Sequence, residues 1–227
     1  MIPRPDNPLI VALDVSSIEE AERLADQLAP HVGMLKVGLE LSWACGPDAV
    51  RRVARHGPVF VDAKLHDIPT TVERAAANIA RLGVSMLDVH ALGGSAMMGA
   101  ALAGAERGAS ESGTVAPLVV AVTVLSSQAG EDLASPASLA FEAKAAGLQG
   151  VVVSGDDVRD VRDACGDEFC LIVPGIRPAG SNGDDQVRVL TPAAAVEKGA
   201  DYLVVGRPIT GASDPVGVAR SMLREIR

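Results

Sequence analysis

Eight short runs rich in Val, Ile and Leu recur along this chain, each followed by a longer alanine-rich segment that carries charge. The runs fall at 9–14, 34–38, 58–63, 85–90, 117–123, 150–153, 170–173 and 202–205. They lack the apolar–polar alternation of a strand with one wet face. Strands covered on both faces belong to parallel sheets. The intervening segments predict helices near 17–29, 47–56, 69–82, 95–107, 136–147, 156–164, 192–199 and 215–226. Gly or Pro punctuates most junctions, as at Gly33, Gly57, Gly83, Gly147 and Gly199. Ser16 or Ser17 ahead of Glu19-Glu20, and Thr191 ahead of Pro192, are the expected N-caps. Eight strand–helix units in 227 residues fit a (β/α)8 TIM barrel, with a doubly wound open sheet as the alternative. No composition break or long linker marks a second domain, so one domain over residues 1–227 is expected.

Such a sheet needs a large core, and 48% of the residues are hydrophobic; with only 2% aromatic, Ala, Val, Leu and Ile must build it. The net charge of −9 argues against a nucleic-acid partner, which requires a basic face. No apolar run approaches the ~20 residues of a membrane span, and the N-terminal MIPRPDNPLIVALDV is too short in apolar residues for a signal peptide. Cys45, Cys165 and Cys170 have no metal-ligand spacing and leave one unpaired under any disulfide scheme. They read as reduced thiols of a cytoplasmic protein. Neither a GxxxxGK nor a GxGxxG phosphate loop is present.

The charges collect where the strands end. The first run ends in Asp14, the second carries Lys36, the third runs into Asp62-Ala-Lys64-Leu-His-Asp67, and the eighth into Gly206-Arg207. In a barrel these positions share the C-terminal rim, where active sites form. Alternation along a strand puts Asp62 and Lys64 on one side. Asp67 follows in the turn before a helix opening at Pro69-Thr70-Thr71. Carboxylates on both sides of Lys64 would favour its ammonium form, which suits protonation of a carbanion better than imine formation. Pro174-Gly-Ile-Arg177 and Val205-Gly-Arg207-Pro offer guanidinium groups for an anion at the loops after strands seven and eight, with Gln186 in the polar stretch 179–186 as a further contact. A structural salt-bridge network, or a divalent metal at Asp62 and Asp67, are the competing uses of these charges. His66 is expected to support the site rather than do chemistry, and His90 ends the fourth strand without an assigned role.

The segments LIVALDV, MLKVGLEL, VFVDAKLHDIPTTV, VAVTVLSS, IVPGIRP, GDDQVRVLTP and YLVVGRPIT, in that order, closely resemble the bacterial-type orotidine 5′-phosphate decarboxylase family over nearly the whole chain. The resemblance implies a (β/α)8 barrel that works as a homodimer with shared active sites and needs neither metal nor organic cofactor. It implies decarboxylation of orotidine 5′-monophosphate to UMP, the last step of de novo pyrimidine synthesis. By the same resemblance Lys64 is the proton donor, and Lys36, Asp62 and Asp67 complete the charged array, Asp67 crossing to the partner's site. Asp14 and Lys36 would contact the ribose with Thr71 of the neighbouring subunit. Ser126 would lie against the pyrimidine, while Arg177, Gln186, Gly206 and Arg207 hold the phosphate. Two other readings compete. Sugar-phosphate enzymes of the same superfamily share the Asp-x-Lys-x-x-Asp pattern but use magnesium and an enediolate; the IPTT continuation and the two Arg-Pro loops favour the nucleotide enzyme. A regulatory barrel that only binds a nucleotide would have little use for so costly an array.

Overall fold

The strands close into a ring. In the computed structural model, which describes residues 5–124, 134–178 and 190–226, β1 (Leu9–Ala12) pairs in parallel with both β2 (Met34–Val37) and β8 (Tyr202–Val205). Between them run β3 (Val59–Leu65), β4 (Met86–His90), β5 (Leu118–Val122), β6 (Gly150–Val152) and β7 (Cys170–Val173), each parallel to the next. The expected (β/α)8 barrel is therefore the fold, and the open sheet is excluded.

The helices alternate with the strands. They are α1 (Ile18–Leu28), α2 (Leu39–Cys45), α3 (Pro47–Val53), α4 (Pro69–Ala80), α5 (Gly94–Ser112) and α6 (Pro136–Ala145). After these come α7 (Val158–Cys165), α8 (Pro192–Lys198), α9 (Arg207–Thr210) and α10 (Pro215–Ile226). Ser17 caps α1 by accepting the Glu20 N–H, and Thr191 caps α8 by accepting that of Ala194. Two short helices were not expected. The segment of α2 falls between the second expected strand and the helix expected from 47, and Gly46, at φ 67°, separates it from α3. The segment of α9 is a single turn immediately after β8.

Two apolar layers follow from the pleat. Alternate strand residues such as Leu9, Val11, Leu35 and Val59 pack outward under the helices. The others fill the barrel: Ile10, Met34, Phe60, Met86, Val120, Ile172 and Val204. Along each strand the inward series then continues toward the C-terminal end, and there it changes character. Ile10 and Ala12 lead to Asp14, Met34 to Lys36, Phe60 to Asp62, and Met86 to Asp88. The apolar plug below supports a charged floor above.

The α4–α5 pair is packed backbone to backbone. A Cβ on Gly104 would lie 2.1 Å from the Glu73 carbonyl oxygen, and one on Gly108 would lie 2.2 Å from that of Ala77. Positions 73 and 77 face positions 104 and 108, one turn apart on each helix, so hydrogen side chains let the two axes approach. This contact anchors α4, whose first turn carries Thr71, four residues after Asp67. Arg162 of α7 pins the opposite end of the barrel. It pairs with Asp201 at 2.6 Å and donates to the carbonyl oxygens of Gly166, Phe169 and Gly199.

Candidate active site

A pocket of about 400 Å³ opens at the C-terminal mouth of the barrel. Its floor is a chain of alternating charges. Lys36 Nζ lies 3.3 Å from Asp14 Oδ1 and 2.9 Å from Asp62 Oδ2. The other Asp62 oxygen accepts from Lys64 Nζ. Asp62 thus takes one ammonium group on each oxygen, and Lys36 bridges two carboxylates. Gly38 makes room for this bridge, since a Cβ there would lie 2.9 Å from Lys36 Nζ.

Burial sets the energetics. Only 7% of Lys36 is exposed, and desolvation alone would depress its pKa; the charges of Asp62 and Asp14 outweigh it and hold the pKa above the ordinary lysine value. Burial would raise the Asp62 pKa, but Lys36 and Lys64 hold that carboxyl well below the usual carboxylate range. Asp62 is therefore an anion fixed between two cations in a half-dry site. Such fixed charge acts more strongly on a ligand than it would in water.

Lys64 reaches this place by an irregular route. Strand alternation predicts that Asp62 and Lys64 share a side, and they do meet, but the pleat is broken between them. Val61 pairs with Leu87 and Leu65 with Val89, so β3 carries two more residues than β4 across this stretch. Lys64 takes up the excess at φ 47°, the one non-glycine positive φ among the described residues. Its N–H has left the strand ladder and donates instead to Asp88 Oδ1 at 2.7 Å.

Asp88 was not among the sequence-predicted site residues. The signal was there: it lies two positions before His90 on β4, so the period of two that turns Asp62 inward also turns Asp88 inward. It is 1% exposed. Burial, and then the neighbouring charge of Asp62, push its pKa well above the carboxylate range. His90 stacks on His66 with ring centroids 5.4 Å apart. Burial, followed by the nearby His66 and Lys64, lowers the His90 pKa.

The remaining expectations divide. Arg177, Gly206 and Arg207 line the same pocket as the charged floor, and Arg177 is buried at its wall. The Arg177 N–H donates to the Leu190 carbonyl at 3.0 Å, where Ile176 and Leu190 form a short parallel bridge. Asp67 departs from the expectation that carboxylates flank Lys64 on both sides within one chain. It is exposed beyond the strand end, outside this pocket, and its Oδ1 accepts the adjacent Ile68 N–H at 2.7 Å. Thr71 is likewise exposed on the first turn of α4 and lies outside this chain's pocket. Ser126 and Gln186 lie outside the described residues. Neither a group of three metal-ligating side chains nor a helix long and apolar enough to cross a membrane occurs among the described residues.

A (β/α)8 barrel with a charged pocket at the C-terminal end of its strands is the architecture of a barrel enzyme. The sequence model of the Orotidine 5'-phosphate decarboxylase / HUMPS family matches residues 7–222, and the chain belongs to that family. It is 50% identical to the orotidine 5'-phosphate decarboxylase of Moorella thermoacetica, with 96% of this chain and 91% of the relative covered. It is 44% identical to that of Geotalea daltonii, covering 96% and 95%. Among solved structures, the orotidine 5'-phosphate decarboxylase of Lactobacillus acidophilus superimposes with a TM-score of 0.85 at 36% identity, covering 98% of this chain and all of the other. The named relatives are carboxy-lyases, and the chain is an enzyme of that kind.

Proposed function

We propose that this chain decarboxylates orotidine 5′-monophosphate to UMP and carbon dioxide, the closing step of pyrimidine nucleotide synthesis, without metal or organic cofactor. The observation that carries the reading is the Asp14–Lys36–Asp62–Lys64 charge chain on the floor of a pocket whose wall holds Arg177 and Arg207. Cleavage of the bond from the ring carbon to its carboxylate leaves the electron pair on that carbon as a vinyl carbanion, in an in-plane orbital orthogonal to the ring π-system, which therefore does not delocalise it. Fixed cations must carry the stabilisation. Lys64 supplies the nearest charge, donates its proton to the carbon, and regains one from solvent. Asp62 sits where the departing carboxylate would lie and disfavours the bound ground state. Like charges ~4 Å apart at an effective dielectric near 20 contribute only about 4 kcal/mol, so stabilisation of the transition state must supply the larger share.

The other end of the nucleotide is assigned to Arg177, Gly206 and Arg207, with Gln186 and Ser126 as further contacts on the phosphate and pyrimidine. Binding energy at the phosphate, remote from the reacting carbon, is then available to hold the ring against the charged floor. Each Asp62 oxygen already faces an ammonium group, so a divalent cation bound there would meet the repulsion of two like charges. This favours the metal-free reaction over a magnesium-dependent one.

We assign Asp67 and Thr71 to the site of a second copy. Leu39, Trp43, Ile68 and Leu92 are exposed apolar side chains just beyond the ends of β2, β3 and β4, along one arc of the rim. Trp43, 86% exposed, is the extreme case. A homodimer that buries this arc would carry Asp67 and Thr71 into the partner's pocket. The free cysteines support a reducing compartment, and we place the reaction in the cytoplasm.

Incubation with orotidine 5′-monophosphate, followed by ultraviolet absorbance, tests the reading directly. Lys64→Ala should lower kcat by about 10²- to 10⁴-fold or more while UMP still binds. Comparable turnover in that variant would remove Lys64 from the mechanism.

A further inference from the structure

We propose that Asp88 is a positioning residue for Lys64: its side-chain oxygen fixes the left-handed backbone turn that aims the lysine at the pocket. The inference rests on the reading of Lys64 as proton donor, and it adds a residue on a different strand to the machinery.

A residue with a Cβ does not hold φ 47° without support, because the left-handed region crowds the Cβ against the following carbonyl. The support is not the β3–β4 ladder, which is interrupted between Val61 and Leu65. An amide N–H that leaves a ladder inside a protein must find another acceptor, and Lys64 N–H finds Asp88 Oδ1 at 2.7 Å. The bond joins a side chain of β4 to the backbone of β3, so it sets where Cα and Cβ of Lys64 stand, and with them the reach of Nζ to Asp62. Asp88 itself has little freedom, being 1% exposed and borne on a strand paired on both sides.

The second oxygen, Oδ2, is fully buried and receives no hydrogen bond from a donor, while the Asp88 carboxyl lies within hydrogen-bonding reach of that of Asp62. An ionised carboxylate in that state would be costly, and it would place a second negative charge beside Asp62. Burial and the Asp62 charge both favour the protonated acid. In that form Oδ1 accepts the Lys64 N–H and Oδ2 carries the proton. An asparagine reproduces this arrangement, with a carbonyl oxygen and an NH2 group in the same places. Alanine reproduces neither.

The experiment compares wild type, Asp88→Asn and Asp88→Ala by kcat and KM on orotidine 5′-monophosphate and by crystal structure, with thermal unfolding as a control for folding. Asp88→Asn should keep kcat within about threefold. Asp88→Ala should lower it by about 10- to 100-fold with KM little changed, since a misplaced group costs rate while the phosphate contacts are untouched. A merely structural role would lower stability in Asp88→Ala and leave kcat of the folded enzyme alone; that result overturns the proposal. So does an equal loss of kcat in Asp88→Asn, which would mean that an ionised Asp88 is required. Should the alanine variant not fold, Asp88→Ser, too short to reach the Lys64 N–H, takes its place with the same expectation. If wild type leaves the nucleotide unchanged, the functional reading falls, and the crystal structures still decide the role of Asp88. Lys64 should relax out of the left-handed region in Asp88→Ala, and a Lys64 φ still near its original value would overturn the proposal.

Discussion

Asp62 and Asp88 are two carboxyls on neighbouring strands with opposite protonation behaviour. Asp62 meets two ammonium groups and is held as the anion, whereas Asp88 is buried beside the like charge of Asp62 and is held as the acid, in spite of the Lys64 N–H it accepts. Their contributions to folding therefore run in opposite directions with pH. A depressed folded pKa, as at Asp62, stabilises the fold above the ordinary carboxylate value and is lost only in strong acid. A raised folded pKa, as at Asp88, contributes fully below that value and is lost as pH rises through the raised one. The groups facing Asp88 are Asp62 and Lys64 on β3. Asp88→Asn removes the titration and keeps the hydrogen bond. The stability of Asp88→Asn relative to wild type should therefore be greater near pH 8 than near pH 4, as read by thermal unfolding of both proteins at both pH values. A difference that does not change with pH would show that Asp88 has the same proton affinity folded and unfolded.

At the scale of elements, α5 shows how packing overrides propensity. Its sequence, GSAMMGAALAGAERGASES, is rich in glycine, and the predicted helix stops at 107, just before Gly108; the helix in fact runs to Ser112. Glycine weakens an isolated helix by up to about 1 kcal/mol relative to alanine. On propensity alone, Gly108→Ala should stabilise. The structure predicts the reverse sign, because the new methyl would lie 2.2 Å from the Ala77 carbonyl oxygen and backbone cannot step aside cheaply. Destabilisation of about 1–3 kcal/mol is expected from such overpacking, measurable by chemical denaturation. An increase in stability would mean that α4 and α5 can slide apart at no cost. The short α2 was illegible for a related reason. Leu39 and Trp43 are spaced as one face of a helix, but the face is exposed, so no core demanded it and the segment carries no expected element.

At the scale of the whole molecule, one barrel supplies the charged floor and the arginines, while Asp67 and Thr71 are exposed and lie outside its own pocket. If sites are shared between copies, each inactive variant can be complemented. Lys64→Ala and Asp67→Asn, each inactive alone, should recover activity when unfolded together and refolded as a mixture, because a mixed dimer contains one pocket with both native residues. No recovery from a mixture shown to contain mixed dimers would place Asp67 outside the shared site. Chelation tests the chemistry at the same scale: activity should be unchanged by EDTA, since the ammonium groups of Lys36 and Lys64 flank Asp62 and would repel a divalent cation. Loss of activity restored by magnesium would favour the sugar-phosphate branch of the family.

What the sequence by itself determined is what local periodicity can encode. Runs of β-branched and aliphatic residues between capped helices specify strands buried on both faces, and eight of them fit a ring, which the pairing of β1 with β8 then closes in preference to an open sheet. A period of two then says which strand residues turn inward, so Asp14, Lys36, Asp62 and Lys64 could be placed at one rim before any coordinates. Only the tertiary structure decided how those charges pair. Lys36 and Asp62 meet across the ladder between β2 and β3, and Asp67, close to Lys64 in the chain, lies outside its pocket. The two extra residues of β3, and the left-handed turn that Asp88 holds, arise from the match between neighbouring strands. Hydrogen-bond register between strands far apart in the chain is a property of the closed barrel, and no single segment of the sequence contains it.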